Sequence, residues 1–441
     1  MANRNNRLGF YWVYDKTGTP GTGYQIFQAF RFLGLLAAAL SVPILSNSDA
    51  DPSEYESLTL AGTAVSFFWV TGLFDSLVVR FHAAQPSEQA SVLNAGFWLA
   101  NACALASILA MMPILAFSSG FPYAVFLFFE LAGFFLPIYL LVKGKGHALS
   151  ILGLVAYGGY ALWVAIGMHQ GWGLVEIFWV CAAWGSLRWL GSLILAKPWE
   201  RPEFEQMKRL ASLALPVSGV ALLGQGALVI DGYLAKYFHP GEFTAFRYGS
   251  KEFPLTLLMA NAFSTTYSGM VASAVKQDKI EQTLELVKRN SINIIYLSFS
   301  FTFILLCISH PAFEWVLDGR YPAAAPVFDL CLLMVLPRML FPQTVVRGHE
   351  KGWILTAAAT MELILKLGLS FLLLPLMGLA GLVLATVLAL LFEKAILMWY
   401  CDRKLGLPVE SYTPVKPLIV LSLLLLGMYG IKYSMFGLAF P

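Results

Sequence analysis

The sequence predicts an all-α polytopic membrane protein: two six-helix lobes related by a parallel repeat around a central cavity, plus one extra C-terminal helix. Three observations lead there. Of 441 residues, 58% are hydrophobic and only 12% charged, with a mean hydropathy of +0.69. A soluble domain carries about a quarter charged residues. Apolar runs long enough to cross about 30 Å of hydrocarbon recur along nearly the whole chain. The basic residues then alternate between successive connections, as the positive-inside rule requires.

The predicted spans are 26–46, 58–80, 91–117, 122–142, 148–168, 173–196, 212–238, 245–272, 291–310, 323–345, 353–375, 379–400 and 416–436. With residues 1–25 as a cytoplasmic, interfacial segment, the inner connections hold Arg80, Lys143, Lys145, Lys197, Arg201, Lys208, Arg209, Lys276, Lys279, Arg347, Lys351, Arg403 and Lys404. The outer ones hold mainly Lys236 and Arg320. The N-terminus is therefore expected inside, on the cytoplasmic face of the membrane. The densely charged stretch around 197–211 divides the first twelve spans six and six. It is read as a cytoplasmic linker between an N-lobe (26–196) and a C-lobe (212–400), with residues 401–441 supplying the extra helix. The polar run Lys276–Asn290 has Ile280, Leu284 and Val287 on one face, which predicts an amphipathic helix on the membrane surface.

The first helix pair of each half carries the unusual charges. Asp231 lies late in span 7, and Arg247, Lys251 and Glu252 lie early in span 8, with Pro216 and Pro254 interrupting the same two helices. Ionised side chains at membrane depth face a partner or a wet cavity, and broken helices are tolerated where they line one. Arg31 and Asp75 hold the corresponding places in spans 1 and 2. Arg247, Lys251 and Arg31 are the candidate substrate-binding cations. Asp231, Glu252 and Asp75 are the candidate cavity or coupling acids. Arg247 and Lys251, four apart, share a helix face; the competing reading is a pair snorkelling to the interface. For Asp231 the alternatives are a coupling H⁺ or Na⁺ site, or a structural pair with Lys236 or Arg247. Glu362 and Lys366, also four apart, predict an ion pair along one helix. Glu130, Arg188 and Asp329 are expected in inter-helix pairs within a lobe.

Pro52-Ser53-Glu54-Tyr55 and Pro240-Gly241-Glu242-Phe243 follow the first helix of each six-helix set, which is the basis for the predicted repeat. The five cysteines and six histidines show no metal-ligand spacing, so neither a metal nor a cofactor is expected. Short outer connections without an acid/His/Arg constellation argue against a membrane-embedded polymerase or ligase.

Several segments carry a resemblance: A-L-P-V at 214–217, V-I-D-G-Y-L-A at 229–235, G-E-F-T-A-F-R-Y-G at 241–249, E-F-P-L at 252–255, D-P-S-E-Y-E-S at 51–57 and the helix through Gly72-Leu73-Phe74-Asp75 to Arg80-Phe81. Here the chain resembles the multidrug/oligosaccharidyl-lipid/polysaccharide flippase superfamily, above all its polysaccharide-transporter branch. The resemblance implies two lobes alternating access to a central cavity. It also implies a polyprenyl-diphosphate-linked oligosaccharide as substrate, with membrane lipids and polysaccharide-assembly enzymes as partners and no nucleic acid. A cationic cavity would compensate the diphosphate, which Arg meets with a planar fork. A multidrug cation exporter of the same superfamily is the alternative; cavity bases argue against it.

Overall fold

The computed structural model describes residues 52–112, 119–196, 203–250, 254–277, 279–349 and 351–436. Among them the regular structure is helical. In chain order the helices are α1 (Pro52–Ala83), α2 (Gln89–Met111), α3 (Gly120–Gly133), α4 (Phe135–Val142), α5 (Gly146–His169), α6 (Leu174–Ala196) and α7 (Phe204–Phe238). A 3₁₀ turn at Pro240–Glu242 leads into α8 (Phe243–Gly249). Then follow α9 (Pro254–Lys276), α10 (Ile280–Leu317), α11 (Ala324–Leu332), α12 (Val335–Arg338), α13 (Pro342–Gly348), α14 (Gly352–Leu405), α15 (Val409–Tyr412) and α16 (Val415–Phe436). Predicted span 26–46 lies outside the described residues; the described residues of the other twelve are mostly helical. Among the described residues eight helices are long and apolar enough to cross a membrane, or nine if α11–α12 and α13, bent by 43°, count as one span.

Proline sets several of the breaks. Pro137 cannot donate to the carbonyl of Gly133, and the helix divides there into α3 and α4. Span 323–345 holds Pro326, Pro337 and Pro342, and it folds as three short helices rather than one. Spans 353–375 and 379–400 form the continuous run α14, turned at Gly378. Its φ of 56° and ψ of −143° suit only a residue without a Cβ.

Two boundaries differ from the sequence reading. Residues 204–211 are the first turns of α7 rather than linker, because Phe204 to Leu213 offers strong helix formers without interruption. The polar run Lys276–Asn290 is not a separate surface helix. Lys276 ends α9, and residues from Ile280 onward are the opening turns of the 38-residue α10, with Leu284 and Val287 buried. Their apolar face meets protein, so the helix has no reason to turn along the membrane.

The chain divides into two compact units, 1–229 and 230–441. In the first, α3 packs along α6, and α1 along α2. Its core includes Leu58, Leu77, Phe97, Phe135 and Phe178, each almost wholly buried. Gly72 sits where α1 meets α7: a Cβ there would fall 1.9 Å from Ser218 Oγ and 2.7 Å from the carbonyl of Ala214. At the start of α1, Glu54 accepts from the backbone N–H (3.2 Å) and hydroxyl of Ser119. In the second unit α9 packs on α13, α13 on α14, and α8 on α11.

Candidate functional site

Within residues 230–441, three helical segments bring a polar group together in an apolar interior. Asp231 comes from α7, Lys366 from α14 before Gly378, and Thr386 from α14 beyond it. The turn at Gly378 brings the last two to one carboxylate. Lys366 Nζ lies 2.8 Å from Asp231 Oδ2. The hydroxyl of Thr386 donates to the same oxygen at 3.0 Å. Lys366 is 0% exposed and Asp231 5%. Asp231 Oδ1 is buried and accepts no hydrogen bond among the described residues. A carboxylate with one doubly bonded oxygen and one orphaned oxygen has acceptor capacity left, at a desolvation cost that a proton or a rearranged partner would relieve.

This geometry corrects two sequence expectations. The base paired with Asp231 is Lys366, not Lys236 or Arg247; Lys236 lies with its ammonium 5.8 Å from the ring centroid of Phe243. The ion-pair partner 2.8 Å from Lys366 is Asp231 on another helix, while Glu362, one turn back on its own helix, also acts on it electrostatically. Sequence spacing identifies residues that share a helix face, whereas this pair depends on α7 meeting α14. One part of the signal was present: Asp231 is the one acid among the apolar residues of its span and needs a buried counter-charge, but Glu362 four residues from Lys366 drew that base to its own helix.

The remaining candidates are placed as follows. Arg31, Lys251 and Glu252 lie outside the described residues. Arg247 is half-buried on α8, in the run between Phe246 and Tyr248, both buried. Asp75 lies at an exposed position on α1. Both make interactions of their own. Among the charges expected to pair within a lobe, Arg188 bonds Glu130. Asp329 receives Lys432 at 2.6 Å, which gives the last helix a partner that the sequence reading had not assigned. Among the described residues no cluster of His, Cys, Asp and Glu could hold a metal.

The helical fold is that of known transporters. One solved structure it resembles is "Lipid II flippase MurJ, inward closed conformation", with a TM-score of 0.65 at 13% identity, covering 93% of this chain and 99% of that one. Two conformations of a multidrug resistance MATE family transporter also match. The inward-facing one has a TM-score of 0.61 at 13% identity, with coverage of 86% and 94%. The outward-facing one has 0.57 at 14%, with 87% and 96%. No curated protein matches the chain in sequence. The class these likenesses define is one of fold, a helical membrane transporter fold. The model of the family "Lipid II flippase MurJ" matches residues 163–437, more than half of the 441, and the chain belongs to that family. The matching family is MurJ's rather than a polysaccharide transporter's.

Proposed function

We propose that this protein flips a polyprenyl-diphosphate-linked saccharide from the cytoplasmic to the outer leaflet of a bacterial cytoplasmic membrane by alternating access. The observation that carries the reading is the family match over residues 163–437. The physical task suits the chain: the polyprenyl tail can remain in lipid, while sugar and diphosphate need a polar route. In this reading Arg247, Lys251 and Arg31 supply the cations that meet the diphosphate. Asp231 supplies the coupling group. A metal cation at Asp231 would face the Lys366 ammonium at close range, so coupling by a proton or by membrane potential is favoured over Na⁺.

Likeness in fold to multidrug transporters supports a second reading, an organic-cation antiporter. The two separate in proteoliposomes. A fluorescent polyprenyl-diphosphate saccharide should become accessible to an impermeant quencher in the presence of the protein, and ethidium should not be transported. Ethidium transport without lipid flipping would reverse the assignment. For orientation, Glu205→Cys, at an exposed position on α7, should resist an impermeant thiol reagent added to intact cells that express a Cys-less variant. Labelling from outside would overturn the inside placement.

A further inference from the structure

The unit comprising residues 1–229 contains a cavity of about 220 Å³ among α3, α5 and α6. Its walls include Phe126, Tyr157, Tyr160 and Trp184, and Glu130 and Arg188 supply its charge. Glu130 lies about 15 Å along α3 from Gly120, at 1.5 Å per residue, well inside the span. Arg188 is 5% exposed; its guanidinium donates to Glu130 and lies 5.9 Å from the ring centroid of Tyr157. Arg188 Nε is buried and donates to nothing among the described residues. The Glu130 side chain keeps 31% of its surface exposed. Phe126 and Tyr160 are stacked, 6.0 Å apart with 19° between planes, and the Tyr160 hydroxyl meets that of Tyr55 at 3.2 Å. Trp184 is fixed by donating its indole N–H to the carbonyl of Ala156 at 3.0 Å.

We infer that this cavity is a binding site for a single sugar ring. The inference rests on the proposed function, whose substrate carries sugar. The chemistry excludes the main alternatives in turn. An organic cation would find Glu130 already neutralised by Arg188, and an anion would find Arg188 neutralised by Glu130. An isoprenoid chain would cover the aromatic walls but leave the orphaned Nε and the charge pair desolvated, which is costly. A neutral polyol matches both features. Its C–H face lies on aromatic rings, which present an apolar body with a polar edge. Its hydroxyls both accept from a guanidinium N–H and donate to a carboxylate. The volume is below the roughly 300–1,000 Å³ of pockets for drug-sized ligands, so one ring fits better than a chain of them.

The test uses full-length protein in lipid nanodiscs and free N-acetylglucosamine as the probe, read by saturation-transfer NMR. Wild type should give a saturable signal. Ala156→Leu, which fills the cavity from α5 without touching the ion pair, should weaken it at least about tenfold. Thermal unfolding checks that this variant folds; should it not, Cys181→Leu fills the cavity from α6 instead. Tyr160→Phe, which removes only a hydroxyl, should weaken binding a few-fold. Absence of a saturable sugar signal in wild type, or equal binding in a folded cavity-filled variant, overturns the inference. So does saturable binding of geraniol in place of the sugar, which would assign the cavity to the lipid tail. Flipping of the complete lipid-linked substrate is measured in parallel. Flipping without a sugar signal removes this site and leaves the proposed function standing; a cavity-dependent sugar signal without flipping supports the site and removes the proposed function.

Discussion

Two aspartate–lysine pairs lie in the unit formed by residues 230–441, and they are built differently. Lys432, on the last helix, donates to Asp329 Oδ2 at 2.6 Å, to Ser309 Oγ at 2.6 Å and to the carbonyl of Leu306 at 2.7 Å. An ammonium has three donors, and here all are used. Asp329, 0% exposed, receives Ser309 on its other oxygen at 2.5 Å. The Asp231–Lys366 pair is as deeply buried, but among the described residues Asp231 keeps one oxygen without a donor. Breaking either pair strands a buried charge. Only Asp231, however, has a whole carboxylate oxygen that no described residue bonds. We read the satisfied pair as the anchor of α16, and the half-satisfied pair as the one able to change its bonding during transport.

The largest effect is expected at the half-satisfied pair. Lys366→Met leaves Asp231 buried and unpaired, and it should cost about 3–5 kcal/mol in thermal or denaturant unfolding and abolish flipping. The double variant Asp231→Asn, Lys366→Met should recover most of that stability and still fail to transport. At the satisfied pair, Lys432→Met should cost less, about 1.5–3 kcal/mol, because Asp329 keeps the Ser309 bond and has His310 Nε2 3.9 Å from its other oxygen, whereas Asp231 keeps the Thr386 hydroxyl alone among the described residues. Here the double variant Asp329→Asn, Lys432→Met should recover both stability and transport. If the two doubles behave alike in the flipping assay, the distinction between anchor and coupling site is lost.

Smaller effects sharpen the same contrast. Arg247→Ala should lose flipping at normal expression with little change in unfolding, since Arg247 is half-buried rather than sealed in. Arg247→Lys should keep part of it, an ammonium lacking the bidentate fork. Normal flipping by Arg247→Ala, Lys251→Ala would mean that these bases only decorate the interface. Gly378→Ala should cost about 1–3 kcal/mol, because it forces a Cβ into a backbone conformation that sustains the Asp231 site. A stability equal to wild type would show that the turn relaxes without disturbing Lys366 and Thr386.

Much of the fold was legible before any coordinate. Periodic apolar length places helix at 58–80 and 148–168 because a span must satisfy its backbone internally, a constraint local in sequence. The breaks were less legible: Pro137 and Pro337 are visible in the sequence, but whether a helix bends, divides or continues through a proline depends on its neighbours. Pro216, for example, lies inside the continuous α7. Asp231 was recognisable as a site residue because a lone intramembrane acid is costly anywhere. Its partner was not, since Lys366 follows 135 positions later and i,i+4 spacing pointed to Glu362 instead.

The sequence alone therefore determined the solvent of this protein, its helical spans, the charges that hydrocarbon cannot tolerate and the superfamily its motifs share. Each of these follows from composition or from residues close along the chain. The tertiary structure alone decided which charges meet: Asp231 with Lys366, Asp329 with Lys432, and Glu130 with Arg188 beside an aromatic cavity. Such pairs join helices distant in sequence, and the energy that selects them arises only when packing removes both partners from water.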